Sequence, residues 1–100
     1  MPEEAAQLDE ILSCRGKTRI LMLLSDKVEL NITEIARSIG LNHSTTKGHL
    51  EQLEKTGLVE QKRFGRIRIY KYHEADPRAQ ALRTLIKAWN NENNQNEARV

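Results

Sequence analysis

One hundred residues make a single small domain, and an apolar content of 38% gives a thin monomer core that burial at a subunit interface would help. The formal net charge is only +2, with Glu3, Glu4, Asp9 and Glu10 ahead of the first base, Arg15, and the positive excess collected between residues 58 and 72. The longest apolar run, Ile20 to Leu24, excludes a membrane-spanning helix, and the acidic start argues against a signal peptide, so a cytoplasmic protein is expected.

In chain order, Ala5, Leu8, Ile11 and Leu12 form a short apolar face on an N-terminal helix. A second helix runs from Arg15 to Leu24, with Ile20, Leu21, Leu23 and Leu24 as core. Its Gly16-Lys17-Thr18 triplet resembles the end of a phosphate-binding loop, but Ile11 stands where that motif needs Gly and no strand precedes it.

Leu30-Asn31-Ile32-Thr33-Glu34-Ile35 predicts a helix start at about Ile32. Asn31 is the N-cap, Glu34 completes a capping box, and Leu30 and Ile35 are placed as a hydrophobic staple. Gly40 marks a left-handed exit, and Leu41 can pack back on Ile35 or Ala36, which is small where two helices would cross. Asn42 offers a second N-cap. From there Thr46, Leu50 and Leu53 recur at helical spacing until Gly57.

With Thr46, His49, Leu50 and Leu53 facing the core, Ser44, Lys47, Gly48 and Glu51 turn outward, with His43 beside them. Such a helix suits the major groove of DNA, where N-terminal residues read base edges and the amide groups favour phosphate. Gly48 has two readings, close backbone approach to a partner or local helix irregularity; in mid-helix it costs up to about 1 kcal/mol relative to Ala. Glu51 either accepts from a cytosine amino group or lies beyond the groove.

The pattern then changes to period two, Leu58 to Arg63 and Arg66 to Tyr72, around Phe64-Gly65. Lys62, Arg63, Arg66, Arg68 and Lys71 outnumber the single acid, Glu60. Arg63 and Arg66 flank the turn and are placed for phosphates or a narrow minor groove. The alternative is that these bases only solubilise an exposed hairpin. Further on, Asp76-Pro77 reads as an N-cap and first-turn Pro of a C-terminal helix striped by Leu82, Leu85, Ile86 and Trp89. Residues 91–100, Asn-rich and without apolar periodicity, read as a disordered tail behind a domain spanning 1–90.

The passages TRILMLL, ITEIARSIGL, HSTTKGHLEQLEKTGLV and FGRIRIYKY, within Arg15 to Tyr72, resemble the winged-helix domain of the ArsR-type and MarR-type transcriptional regulators. The resemblance implies an α+β, mainly α, winged helix-turn-helix of about five helices with a two-stranded hairpin wing, and N- and C-terminal helices at a dimer interface. It maps a recognition helix to 43–56 and a wing to 60–71. Two departures concern base reading: Thr46 replaces a usual aliphatic residue, and Gly48 a longer polar one.

The expected function is sequence-specific binding of double-stranded DNA by a homodimer that regulates transcription as a repressor. The candidate DNA contacts are Asn42, His43, Ser44, Thr45, Lys47, Gly48, Arg63, Arg66 and Arg68. Leu8, Ile11, Leu12, Leu82, Leu85, Ile86 and Trp89 are the candidate interface; the alternative is that both terminal helices only complete the monomer core. No cofactor is expected. Cys14 stands alone with three dispersed histidines, unlike a metal sensor; it is a small core thiol or, if it meets its symmetry mate, a redox switch. His49 is expected to support the recognition helix, and His73 to be solvated. No arrangement of nucleophile, base and acid suggests an enzyme. The rival reading is a winged-helix docking module in a transcription or chromatin assembly; RNA ranks below both, since the wing lacks an aromatic platform.

Overall fold

The helix ends fall where capping residues put them. In the computed structural model, which describes residues 7–27 and 29–98, with side chains as far as Asn93, the order is α1 (Leu8–Leu12), α2 (Arg15–Lys27), β1 (Glu29–Asn31), α3 (Ile32–Ile39), α4 (His43–Thr56), β2 (Val59–Phe64), β3 (Ile67–Tyr72) and α5 (Pro77–Ala98). Ala5, read as part of the first apolar face, lies outside the described residues. No described helix is long and apolar enough to cross a membrane.

Helices α2, α3 and α4 pack around one core and the sheet closes it. Ile20, Leu21, Leu24, Ile35, Leu50, Leu53, Tyr70 and Tyr72 are fully or almost fully buried. The two tyrosines are the largest of these side chains, so a chain with only four aromatic residues spends half of them at the junction of sheet and helices. The Tyr72 hydroxyl donates to the Ala79 carbonyl at 2.6 Å, fixing the first turns of α5 to the sheet, and burial pushes its pKa up to about 12.

Three features differ from the sequence expectation. The sheet has three antiparallel strands in the order β1-β3-β2, not two, because Leu30 pairs with Tyr70 and packs against the core. A three-residue strand is too short to show a period-two pattern. Helix α5 continues to Ala98, through residues read as a disordered tail. Asn is a weak helix former, but extending a helix already nucleated at Asp76-Pro77 fixes one residue per added hydrogen bond, whereas starting one fixes several. Finally, Ile11 is 4% exposed and belongs to the monomer core, so it is not available as an interface residue. Five residues of α1 suffice to turn it inward over α2.

Candidate nucleic-acid interface

The helix-turn-helix is assembled by reciprocal caps. Asn31 Oδ1 accepts from the Glu34 amide at 2.8 Å, and Glu34 Oε1 accepts from the Asn31 amide at 3.0 Å, which closes the expected capping box. Gly40 takes φ 73°, and the amides of Gly40 and Leu41 both donate to the Ala36 carbonyl. Asn42 Oδ1 then accepts from the Thr45 amide at 2.7 Å and starts α4. That oxygen is thereby engaged in the fold, and the carboxamide NH2 of Asn42 is left to meet a partner.

Helix α4 presents the expected sides. Thr46 is fully buried with its hydroxyl donating to the Asn42 carbonyl at 2.8 Å, so its polar atom is satisfied and its methyl serves the core. His43, Ser44, Thr45, Lys47, Gly48 and Glu51 are exposed. The helix passes through Gly48 without a break, and a Cβ built there meets nothing within 4 Å. Neither local irregularity nor packing within the chain therefore accounts for this glycine.

His49 is half-buried and turned toward α2. Burial, with Lys17 nearby, holds its pKa below the usual value, favouring the neutral ring. A Cβ on Gly16 would stand 2.6 Å from His49 Nε2 and 3.2 Å from Leu41 Cδ1. Close approach of α2 to α4 is thus the reason for Gly16, the residue whose Gly-Lys-Thr context resembles a phosphate loop.

The wing is a tight hairpin with Gly65 at φ 63° in its two-residue turn. Its register sets Arg63 directly opposite Arg68, a like-charge pair that is unfavourable in isolation. Gln61 organises the inner side: Nε2 donates to Glu54 Oε1 of α4 and to the Tyr70 hydroxyl, each at 3.2 Å, while Oε1 accepts from Arg63 Nε at 3.2 Å. Because the Glu54 carboxylate can only accept when ionised, the amide orientation is fixed, and Arg63 keeps its terminal nitrogens free. Lys62 instead bonds Glu29 at 2.9 Å, which lowers the Glu29 pKa and raises that of Lys62. Among the described residues no carboxylate lies within ion-pair reach of Arg63, Arg66 or Arg68.

Behind the wing, α4, β3 and α5 are tied at one junction. His73 is not solvated as expected: its Nδ1 lies 2.7 Å from the Gly57 carbonyl, so that nitrogen carries the proton and donates. Arg78 Nη2 donates to the Thr56 carbonyl at 2.7 Å and to Asp76 Oδ2 at 3.0 Å. Asp76 caps α5 by accepting from the Arg78 and Ala79 amides, and the Arg78 guanidinium leads in lowering its pKa to about 2.

Away from this side, α1, α2 and α5 leave an apolar groove of about 250 Å³ lined by Leu12, Leu21, Met22, Leu82, Ile86 and Trp89, among others. Leu8, Leu12, Met22, Leu85 and Trp89 are all substantially exposed, whereas Leu82 and Ile86 are half-buried. Met22 was hidden in the sequence because it sits inside a run read as core. Cys14 is half-buried, and no group of three His, Cys, Asp or Glu side chains among the described residues is placed to hold a metal ion.

Known proteins supply a frame for this geometry. Residues 14–61 match the model of the family described as bacterial regulatory protein, arsR family. No curated protein matches. Among solved structures, a homodimeric winged helix-turn-helix DNA-binding domain from Mycobacterium bovis, a possible ArsR-family regulator, is 26% identical with a TM-score of 0.70 over 94% of this chain and 84% of its own. A predicted DNA-binding transcriptional regulator from E. coli is 27% identical, TM-score 0.70, over 86% and 88%. The transcriptional repressor BigR from Xylella fastidiosa is 25% identical, TM-score 0.67, over 79% and 74%. With the capped helix pair, the three-stranded sheet and the basic hairpin in place, the chain has the winged helix-turn-helix fold and is similar, over residues 14–61, to the arsR family of bacterial regulatory proteins.

Proposed function

We propose that the chain binds double-stranded DNA as a homodimer and represses transcription, with α4 in the major groove and the wing on the backbone or in the minor groove. The observation that carries this is the shared exposure of two surfaces: the N-terminal half of α4, where Gly48 opens onto empty space, and the wing tip, where Arg63 and Arg66 are exposed and have no carboxylate within ion-pair reach among the described residues. His43, Ser44, Thr45 and Lys47 are the base- or phosphate-contacting candidates on α4, with the Asn42 carboxamide NH2 and the Gly48 backbone beside them. Arg63, Arg66 and Arg68 contact phosphate. The homodimeric relative and the repressor relative support the assembly and the sign of regulation.

The dimer forms through the exposed apolar side chains of α1 and α5, Leu8, Leu12, Leu85 and Trp89, with Leu82 and Ile86 at the margin and Met22 added. Two-fold pairing there sets two recognition helices about 34 Å apart, one DNA turn, and calls for a pseudo-palindromic site. Sedimentation at micromolar concentration and footprinting on the DNA upstream of the chain's own coding region test both halves. The expected result is a dimer protecting two half-sites. A monomer sinks the interface, and absence of duplex binding even at low salt favours a protein-docking module instead.

A further inference from the structure

The tip of the wing is apolar as well as basic. Phe64 ends β2 and Ile67 begins β3, the register sets them opposite each other, and they remain 63% and 57% exposed. Their mutual contact contributes little to the hairpin, on the order of 0.2–1 kcal/mol. Large apolar groups on an exposed hairpin end favour unwanted association, which makes their presence informative.

The surroundings define the partner. From Gln61 to His73 the sequence has no acidic residue. Lys62 is held by Glu29, Arg66 stands in the turn beside the apolar pair, and Arg63 and Arg68 form the next rung of the hairpin, on its opposite face. The matching surface has negative rims and apolar walls. The minor groove of duplex DNA has both, since phosphates edge it and deoxyribose carbons line it. A single pair of side chains suits a groove about 6 Å wide, whereas it offers little apolar area for holding a protein on a bilayer.

We propose that Phe64 and Ile67 form an apolar wedge that enters a minor groove and lies against its deoxyribose walls, while Arg63, Arg66 and Arg68 meet the flanking phosphates. This rests on the DNA-binding reading and adds to it a contact that carries no charge. Apolar wedges of this type fit with the local opening of base steps, and they discriminate by groove shape.

The absence of charge supplies the test. The wild-type chain selects a duplex from a randomised 30-bp pool, and that duplex is then titrated with wild type, Phe64→Ser/Ile67→Ser and Arg66→Ala over a range of salt concentrations. The double variant is expected to bind about tenfold more weakly with an unchanged salt slope, since no counterion release is lost, while Arg66→Ala reduces the slope by about one. Circular dichroism and thermal melting should leave the double variant's fold intact; if it melts early, Ile67→Thr replaces it, because Thr retains strand preference. Affinity within twofold of wild type overturns the wedge alone. Wild type that selects no duplex, even at low salt, overturns the DNA reading together with it. Phe64-dependent sedimentation with phosphatidylglycerol vesicles, with duplex affinity unaffected, reassigns the tip to a membrane and also overturns the proposal.

Discussion

Helix α4 and the β2–β3 hairpin differ both in how they are held and in how they are charged. The helix is seated by the fully buried Thr46, Leu50 and Leu53, and its outward N-terminal half carries one constant positive charge, Lys47. The hairpin projects from the core beyond Tyr70, is tied to α4 through Gln61 and to β1 through Lys62 and Glu29, and concentrates the arginines. On the proposed function, a core-seated, weakly charged element and a projecting, strongly charged one divide the work on DNA, the helix giving orientation and the hairpin giving affinity.

If that division is right, breaking the seat of the helix should remove both surfaces together. Leu50→Ala deletes a fully buried side chain and is expected to cost about 2–5 kcal/mol, a large part of the stability of so small a domain. Chemical denaturation should show it, and duplex binding should disappear along with the fold. A variant that stayed folded and bound normally would show that the Leu50 side chain is not what seats the helix. Removing charge should act differently. Arg63→Ala/Arg66→Ala is expected to leave the melting temperature within a few degrees of wild type, weaken duplex binding about 100-fold at low salt, and reduce the salt slope by about two. An unchanged slope would mean that neither guanidinium meets phosphate.

The helix admits a sharper separation of stability from binding. Gly48→Ala places a methyl in open space within the chain and removes a mid-helix glycine, so it should stabilise by up to about 1 kcal/mol. On the proposed groove side the same methyl should weaken duplex binding about tenfold. Gains in both quantities would eliminate close backbone approach as the purpose of this glycine.

At the junction behind both elements, Asp76→Ala should lower the melting temperature by about 5 °C at neutral pH through loss of the α5 cap. The Asp76 carboxyl is held near pKa 2, below the usual carboxylate value, so its ionised form stabilises the fold above about pH 4. That contribution fades as the pH falls from 4 toward 2. The melting difference between wild type and Asp76→Ala should therefore shrink across this window; a constant difference would show that the charge is immaterial.

What could be read in the sequence was local chemistry. Asn31, Glu34, Gly40, Asn42 and Gly57 announce helix ends because capping depends on near neighbours, and the structure bears out each boundary. Thr46, Leu50 and Leu53 announce a core side because the helical period is regular. Contacts between distant segments left no such mark. β1 exists only through pairing with residues some forty positions away, Gly16 answers to His49, and Ile11 finds the core because of how α1 turns over α2. Gln61 shares its strand side with Val59 and Arg63, but nothing in period-two spacing says that its amide reaches α4. The groove-facing and backbone-facing residues follow from orientation, and their roles belong to the proposed function.

Gln61 is where the two elements of the comparison meet, and its removal should produce the smallest and most diagnostic change. Gln61→Ala loses one bond to Glu54, one to the Tyr70 hydroxyl and one from Arg63, all at the half-exposed margin of the core. Side-chain hydrogen bonds of this kind are each worth about 1 kcal/mol or less in net stability, so the fold should survive. The wing's arginines would then be free to adopt orientations that contact with DNA must select against, and binding should weaken about threefold through that lost preorganisation. A double-mutant cycle isolates the effect. Arg63→Ala should cost less in the Gln61→Ala background than in wild type, because the benefit of Arg63 depends on its being aimed. Strict additivity would mean that Gln61 only fills space beside Tyr70, and that helix and hairpin act on DNA independently.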